Sequence, residues 1–306
     1  MMVAVHSHTR VAGLLGGLSL LCVLLLPALA SAADQPDDAE EAAEAVETPA
    51  GNQWHLYSSF GLRAIPIGTA LNIDAGYRFA LSDSDSLLFK DTYVEAGATV
   101  DTSPSYASGG GYIEALPLAV LKLRVQAQTT SYFGAFGYLY LPDDPENPDW
   151  ELDSLGGAVG EGTSATGYQI TGEATLQAKV GNIVAQVPAT YTHLDVDVGQ
   201  NYYDATLDML LEPTDQFWTV RPLLGYVFVM EESDSWVLAG ARWEHAASIQ
   251  SDLSRDMPGA LAVWKLPGDL AGGEMKLVGI GGYWLNHPNR SGTGYVASQF
   301  SVEWLY

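Results

Sequence analysis

Hydrophobic and polar residues alternate strictly along much of the chain after residue 51. Between positions 119 and 130, the odd residues 119–127 are apolar and the even residues 122–130 are polar. Successive side chains of a β-strand point to opposite faces, so this pattern predicts a strand with one face suited to lipid and one to water. Residues 71–79 and 169–179 alternate in the same way. No segment beyond residue 51 is apolar for long enough to cross a bilayer as a helix, so only strands could cross one.

Counting such segments predicts twelve strands, joined by short connections on one side and long ones on the other. They lie at 52–63, 70–81, 88–101, 109–116, 119–131, 167–180, 183–196, 217–229, 236–245, 259–266, 275–285 and 294–306. The long connections, 132–166 and 197–216, fall on the same side. This parity is typical of a closed antiparallel up-and-down transmembrane β-barrel, an all-β fold. Ten or fourteen strands remain possible, because the tenth and eleventh segments are weak.

Two prolines interrupt neighbouring predicted strands. Pro188 lies in the seventh strand and Pro222 in the eighth. Because proline has no N–H to donate to a sheet ladder, the contact between these two strands, the proline seam, is predicted to be the weakest part of the wall. Local bending is the simpler interpretation, and a lateral opening through which a hydrophobic solute reaches the bilayer is the alternative.

The first 51 residues differ in composition from the alternating region at 52–306. Residues 1–32 contain Arg10, an apolar run at 11–26 and a final Ala30-Ser31-Ala32, which together predict a cleaved secretory signal peptide. Residues 33–51 hold seven acids and no basic or aromatic residue, which predicts an acidic periplasmic leader, disordered or forming a short helix. Export, together with 32 Gly, 16 Tyr and 8 Trp, favours a membrane barrel over a soluble β-sandwich.

Aromatic and apolar residues alternate up to the last position of the chain. They are Phe300, Val302, Trp304 and Tyr306. This pattern resembles the C-terminal signature of Gram-negative outer-membrane β-barrel proteins. The resemblance covers residues 51–306 as an architecture and points to no narrower family. It implies a closing strand read by the barrel-assembly machinery, and a bacterial outer-membrane location in contact with lipids and lipopolysaccharide.

The polar phase of the predicted strands gives a balanced set of charges for the lumen. The basic members are Arg63, Arg78, Lys122, Arg124, Lys179, Arg221 and Arg242, and the acidic members are Asp74, Asp91, Glu95, Glu114, Glu173, Glu244 and Glu303. In a wide pore these charges would line opposite walls and orient a passing solute, whereas in a narrow barrel they would pair and fill the interior. A twelve-strand barrel lies between these two cases, so both remain open.

The chain carries 13 Lys and Arg against 37 Asp and Glu, a formal charge of −24. So acidic a protein is unsuited to binding nucleic acid, which requires basic residues against the phosphates. Sixteen acids fall on the side of the long connections: Asp101, Asp143, Asp144, Glu146, Asp149, Glu151, Asp153, Glu161, Asp195, Asp197, Asp204, Asp208, Glu212, Asp215, Asp252 and Asp256. This acidic mouth is expected to attract cations within about 8 Å. The alternative is a solvated surface that binds divalent cations loosely between itself and lipopolysaccharide.

His193, Asp195 and Asp197 are weak candidates for a catalytic site, because a carboxylate near an imidazole can orient it as a base. Their phase places them outside the lumen, at the level of the lipid headgroups, unless a bulge at Pro188 reverses it. No HExxH, CxxC or GxSxG motif is present, and Cys22 lies in the signal segment. No catalytic residue, metal site or cofactor is therefore assigned.

These patterns favour a porin-like channel for small polar solutes with a cation preference at an acidic extracellular mouth. One alternative is a hydrolase that acts on lipid or lipopolysaccharide through His193. The other is a closed barrel with a structural or surface-interaction role.

Overall fold

The computed structural model describes residues 51–306 apart from 65–66, 83, 85, 90 and 143–161. The predicted signal peptide and residues 33–50 of the leader lie outside this part of the chain. The strands are β1 (Gln53–Arg63), β2 (Gly68–Ala80), β3 (Tyr93–Thr102), β4 (Tyr106–Leu118), β5 (Leu121–Phe133), β6 (Leu139–Tyr140), β7 (Ser164–Val180), β8 (Ile183–Val196), β9 (Tyr202–Asp204), β10 (Met209–Leu211), β11 (Thr214–Val220), β12 (Leu223–Met230), β13 (Ser235–Ser248), β14 (Ser254–Leu270), β15 (Gly273–Tyr283) and β16 (Gly294–Leu305). A 3-10 turn, Glu231–Ser233, joins β12 to β13. No helix in the described ranges is long and apolar enough to cross a membrane.

The strands form a closed antiparallel barrel. Each wall strand pairs with its sequence neighbours, and β16 pairs with β1 in a continuous register from His55 opposite Leu305 to Arg63 opposite Ala297. Strands β11 and β12 share one place in the wall, since both lie between β8 and β13. The wall therefore has twelve positions, which confirms the predicted all-β up-and-down barrel and excludes ten or fourteen strands.

The proline seam changes the hydrogen bonding of the wall without changing its register. β11 ends at Val220 opposite Ala189, and β12 begins at Leu223 opposite Gln186, so the pairing with β8 continues in step. The Arg221 N–H still donates to the Pro188 carbonyl at 3.0 Å. Because the register is unbroken, the strand phase is not reversed at Pro188.

The outer face of the barrel is apolar and carries aromatic residues near both ends. Exposed side chains at mid-height include Ile113, Val125, Leu224 and Val296, each 59–61% exposed. At one end, Trp54, Tyr77 and Phe79 form edge-to-face ring pairs, and near the other end Tyr168, Tyr191 and Tyr283 are exposed. A lipid-facing band between two aromatic belts is the exterior of a membrane-embedded barrel.

The two ends of the barrel differ in the lengths of their connections. At the terminal end, residues 53 and 305 lie beside tight turns such as 119–120, 181–182 and 271–272. The opposite end, the loop end, bears the connections 134–163 and 197–213. Sequence alternation did not predict that these connections contain β6, β9 and β10, which form a separate three-stranded sheet.

Two inward-facing glycines, Gly76 and Gly97, make room for the side chain of Tyr112. A Cβ atom on Gly97 would lie 2.5 Å from the Ala75 carbonyl oxygen and 2.7 Å from the Tyr112 ring. We expect Gly97→Ala to lower the free energy of unfolding by about 1–3 kcal/mol, because the Ala75 carbonyl and the Tyr112 ring must both move. Urea titrations of the barrel in lipid vesicles measure this. Gly172→Ala is the matched control, since nothing lies within 4 Å of its Cβ position, and equal midpoints for the two variants would contradict the prediction.

Candidate functional site

A hairpin that folds into the barrel crosses the loop end of the lumen. It consists of β9, β10 and the tip between them, and we call it the loop-end hairpin (202–211). Its buried side chains Tyr202, Tyr203, Met209, Leu210 and Leu211 share one apolar cluster with the wall residues Tyr106, Tyr132, Leu194, Val196 and Phe217. Burial of each large side chain contributes about 1.5–3 kcal/mol, so packing is the main force that holds the hairpin.

Two arginines of the wall bind the tip of the hairpin through its backbone. Arg63 of β1 donates to the carbonyl oxygens of Ala205 and Thr206 at 2.5 and 3.0 Å. Arg255 of β14 donates to the carbonyl oxygen of Leu207. The hairpin leaves the wall between β8 and β11, which lie across the barrel from β1. The tip therefore spans the lumen.

Asp208, at the end of the tip, anchors the hairpin to the connection between β15 and β16. Its carboxylate accepts hydrogen bonds from Arg290 Nε at 2.6 Å and from the Tyr203 hydroxyl at 2.5 Å. His287 Nε2 lies 3.2 Å from the same carboxylate, and all these side chains are buried. Burial alone would raise the pKa of the Asp208 carboxyl, but the contact with His287 and the charge of Arg290 outweigh it and hold that pKa well below its usual range.

Glu95 of β3 is the centre of a charged network at the terminal end. Its side chain is 1% exposed. Its carboxylate contacts Arg78 Nε at 2.9 Å, His55 Nδ1 at 2.8 Å and the Tyr112 hydroxyl at 2.5 Å. Arg78 also stacks over the ring of Tyr93, 4.0 Å from its centroid. Four strands of one wall are thus joined by a single buried carboxylate.

Further ion pairs extend this network around the terminal end. Arg124 lies 2.9 Å from Asp74 and 3.6 Å from Glu114, which also pairs with Lys122 at 3.5 Å. On the neighbouring strands, Lys276 lies 2.6 Å from Glu274 and 3.5 Å from Glu303, and Lys265 lies 3.7 Å from Glu274. Sequence analysis missed Lys265, Glu274 and Lys276, because the inward phase of β14 and β15 is largely apolar and gave no clear alternation.

Two cavities lie between the hairpin and the terminal-end network. The larger has a volume of about 450 Å³ and the smaller about 350 Å³. They share the lining residues Gln126, Thr171, Thr206, Leu207 and Phe217, so they adjoin each other beneath the hairpin tip. Inward-facing Leu261, Val263 and Ile280 remain half-buried on the other wall. Side chains therefore do not fill the lumen at mid-height.

The fourteen charges predicted to line the lumen fall into three groups. Twelve lie on wall strands, and Arg221 lies at the break between β11 and β12. One of these twelve, Lys179, is exposed at the terminal end of β7. Asp91 lies in the turn before β3, with a φ of +62°, so it does not belong to the alternating strand and the phase argument fails for it.

The weak catalytic candidates do not form a site. Thr190 and Thr192 of β8 line the lumen cavities, so His193 and Asp195 belong to the outward face. His193 lies beside the Tyr168 ring, and Asp195 accepts a hydrogen bond from Thr214 at 3.3 Å. In the described ranges, no hydrogen bond or ion pair joins His193 to Asp195 or Asp197.

A histidine that sequence analysis left unassigned does pair with a carboxylate. His245 Nδ1 lies 2.7 Å from Asp256 Oδ1, and the ring packs against Trp218. Because Glu244 and Arg255, the neighbours of these two residues, line the lumen, the pair is on the outer face. No serine, threonine or other nucleophile donates to His245 within the residues described.

Most acids of the predicted mouth that the structure describes are engaged in holding loops together. Seven of the sixteen lie at 143–161, outside the described residues. Of the others, Asp204 accepts from the Tyr132 hydroxyl at 2.8 Å, and Asp215 accepts from Ser248 and Ser251. Asp101, Asp208 and Asp256 also have side-chain partners. No group of three or more metal-binding side chains is present in the described ranges.

Of the C-terminal signature residues, Phe300, Val302 and Trp304 lie on the outward phase of β16, and Tyr306 follows the last residue of that strand. Val302 is buried between the neighbouring strands, whereas Tyr306 is 67% exposed. The Trp304 indole covers Gly273 and donates to the Leu270 carbonyl at 3.0 Å. Recognition of this strand by the assembly machinery stays a prediction.

Comparison with known proteins identifies no close relative. No family model and no curated protein matches the chain. Among solved structures, the β domain of the Bordetella autotransporter Brka has a TM-score of 0.42 at 13% identity, covering 84% of this chain and 98% of that one. LpxR from Salmonella typhimurium has a TM-score of 0.41 at 9% identity, covering 82% and 100%. OmpT, an outer membrane protein of Vibrio cholerae, has a TM-score of 0.35 at 8% identity, covering 86% and 100%.

Likenesses this distant assign no activity to the chain. The architecture rests on the molecule itself, which has a closed wall of twelve strands, an apolar exterior with two aromatic belts and a polar, partly empty lumen. Together these features are the fold of a bacterial outer-membrane β-barrel.

Proposed function

We propose that this protein is an outer-membrane channel for small polar solutes and that the loop-end hairpin closes its mouth in the conformation described. The observation that carries the proposal is the pair of adjoining cavities beneath the hairpin tip, which are lined mostly by polar side chains and leave space unfilled at mid-height. A barrel whose only role is structural has no need for such space, since smaller barrels fill their interior with side chains.

The hairpin is suited to be the movable part of this channel. It is a loop segment and takes no part in the wall ladder, so it can leave the lumen without breaking a strand pair of the barrel. The polar contacts of its tip are hydrogen bonds and ion pairs that water can replace. Outer-membrane lipids and lipopolysaccharide are the proposed partners of the exterior, and no cofactor is part of the proposal.

The ion preference of the proposed channel follows the cavity more than the mouth. Six of the nine described mouth acids have side-chain partners, and for one of them, Asp208, the partner is a permanent cation, Arg290. The larger cavity is lined by four arginines and two glutamates. Fixed charge of one sign at a constriction favours ions of the other sign.

We therefore expect discrete single-channel events in planar bilayers, with a reversal potential under a KCl gradient that indicates anion preference. A reversal potential that indicates cation preference would mean that the acidic mouth, and not the cavity, selects the ions. Absence of discrete conductance, both in the native chain and in a chain without the hairpin, would contradict the channel and favour a closed barrel.

A further inference from the structure

The larger lumen cavity carries more positive than negative charge. Its charged lining residues are Arg63, Arg124, Arg221 and Arg255 against Glu173 and Glu244. The wall strands and the hairpin tip surround these groups. Charges in such an environment are screened less by salt than charges on an open surface, so the surplus acts strongly on a solute that enters.

Three of the four arginines already have close partners. Arg124 lies 2.9 Å from Asp74, and Arg63 donates to two hairpin carbonyls. Arg255 lies 3.0 Å from Glu244, and Arg242, just outside the cavity, lies 2.7 Å from the same carboxylate. Glu244 is thus shared between two arginines and has little capacity left for a third.

Arg221 differs from the other three. Its nearest carboxylate is Glu173, and the two groups are 4.0 Å apart. The Arg221 side chain is 42% exposed although it lines the lumen. Its Nε atom, like that of Arg255, is buried and has no hydrogen-bond partner among the described residues, and no closer carboxylate than Glu173 faces the rest of the guanidinium. The guanidinium therefore has donors available for a group that enters the cavity.

We infer that the cavity is a binding site for the anionic group, a carboxylate or a phosphate, of a small polar solute, with Arg221 as its principal contact. The planar guanidinium can donate two parallel hydrogen bonds to either oxyanion. The inference rests on the proposed channel, for which it names the solute class.

The rest of the cavity suits the remainder of such a solute. Thr171, Thr190 and Thr219 also line it. The register places Thr190 opposite both Thr219 and Glu173, so these hydroxyls lie on neighbouring strands near Arg221. A volume of about 450 Å³ lies within the range of small-molecule sites, about 300–1,000 Å³. The site thus offers one charged contact and several neutral hydrogen-bonding groups.

Isothermal titration of the full barrel in detergent tests the inference with three probes: inorganic phosphate, succinate and uncharged glucose. We expect phosphate or succinate to bind, and whichever binds more tightly identifies the anion. Arg221→Gln should weaken that binding by about tenfold or more, because a charge-assisted pair of hydrogen bonds is lost. Lys179→Gln is the matched control, since it removes an inward-phase positive charge outside the cavity, and it should leave binding unchanged.

Several outcomes would overturn the inference. These are tighter binding of glucose than of either anion, binding that Arg221→Gln leaves intact, and equal losses in the Lys179 and Arg221 variants. Arg221→Lys provides a second variant if Arg221→Gln does not fold, as judged by heat-dependent mobility on gels. Lysine keeps the charge but lacks the planar guanidinium, so this variant should weaken binding by a smaller factor. Anion binding without conductance would contradict the channel alone, whereas conductance without anion binding would contradict this site alone.

Discussion

Replacement of the loop-end hairpin, residues 202–211, by a short Gly-Ser linker should raise the single-channel conductance several-fold. The hairpin tip crosses the lumen to contact Arg63 on the far wall and also contacts Arg255 of β14, so its removal opens the loop end. The linker only has to join β8 to β11, which are neighbouring strands, and short connections suffice for such neighbours. Planar bilayer recordings at fixed salt give the measurement.

The point variant Asp208→Asn should produce the same change to a smaller degree. It leaves Arg290 buried without its carboxylate, and removal of one partner from a buried pair costs about 3–5 kcal/mol. Asp252→Asn is the control, because Asp252 is an exposed acid of the same end. Native-like gel mobility of all variants would show that the wall has formed. Unchanged conductance in the linker variant would show that the hairpin does not restrict the path.

The pH dependence of the hairpin follows from the lowered pKa of Asp208. A carboxyl whose pKa is lower in the folded state contributes stability above its unfolded pKa and loses it as the pH falls through the folded one. The unfolded value is about 3.9. The conductance of the native channel should therefore stay constant between about pH 8 and pH 5 and rise only below about pH 4. Asp208→Asn should remove this acid response.

Glu95→Gln should destabilise the barrel more than any other single charge removal at the terminal end. Glu95 is 1% exposed and receives contacts from Arg78, His55 and Tyr112. Glutamine retains the size of the side chain and removes its charge, which leaves the buried Arg78 without a counter-ion. The expected loss in the free energy of unfolding is about 3–5 kcal/mol. Urea-dependent unfolding in lipid vesicles, followed by tryptophan fluorescence, measures it.

Glu173→Gln is the matched control for Glu95→Gln. Both residues are inward-facing glutamates of wall strands, but Glu173 is 25% exposed and lies 4.0 Å from Arg221. A loose, partly solvated pair of this kind contributes about 0–1 kcal/mol. Equal shifts of the two unfolding midpoints would mean that burial of the Glu95 network adds nothing to stability.

Much of the wall could be predicted from the sequence because strand phase is a local property. The alternation of 119–130 gives the faces of β5 directly, and the parity of the connections favours the twelve strands that the structure confirms. The same reasoning placed Glu95, Arg124 and Glu244 on the inward phase. It failed for Asp91, which a left-handed turn conformation removes from the strand, and for β14, whose two faces are both largely apolar.

The site itself depended on contacts between distant parts of the chain. Strands β9 and β10 have three residues each, too few to show alternation, and the hairpin is held by wall residues such as Arg63, about 140 positions away in the sequence. Which carboxylates pair, and that Arg221 keeps free donors, depends on which strands become neighbours when the barrel closes.

Local alternation was enough to predict a barrel of about twelve strands with an apolar outside and a charged inside, because a period of two follows from backbone geometry alone. Three features were visible only in the tertiary structure. A hairpin crosses the mouth, most described mouth acids hold loops together, and the side chains that line the larger cavity carry a net positive charge. Those features depend on side chains that closure of the barrel brings together from strands far apart in the chain. A local sequence pattern cannot predict which of these side chains become neighbours.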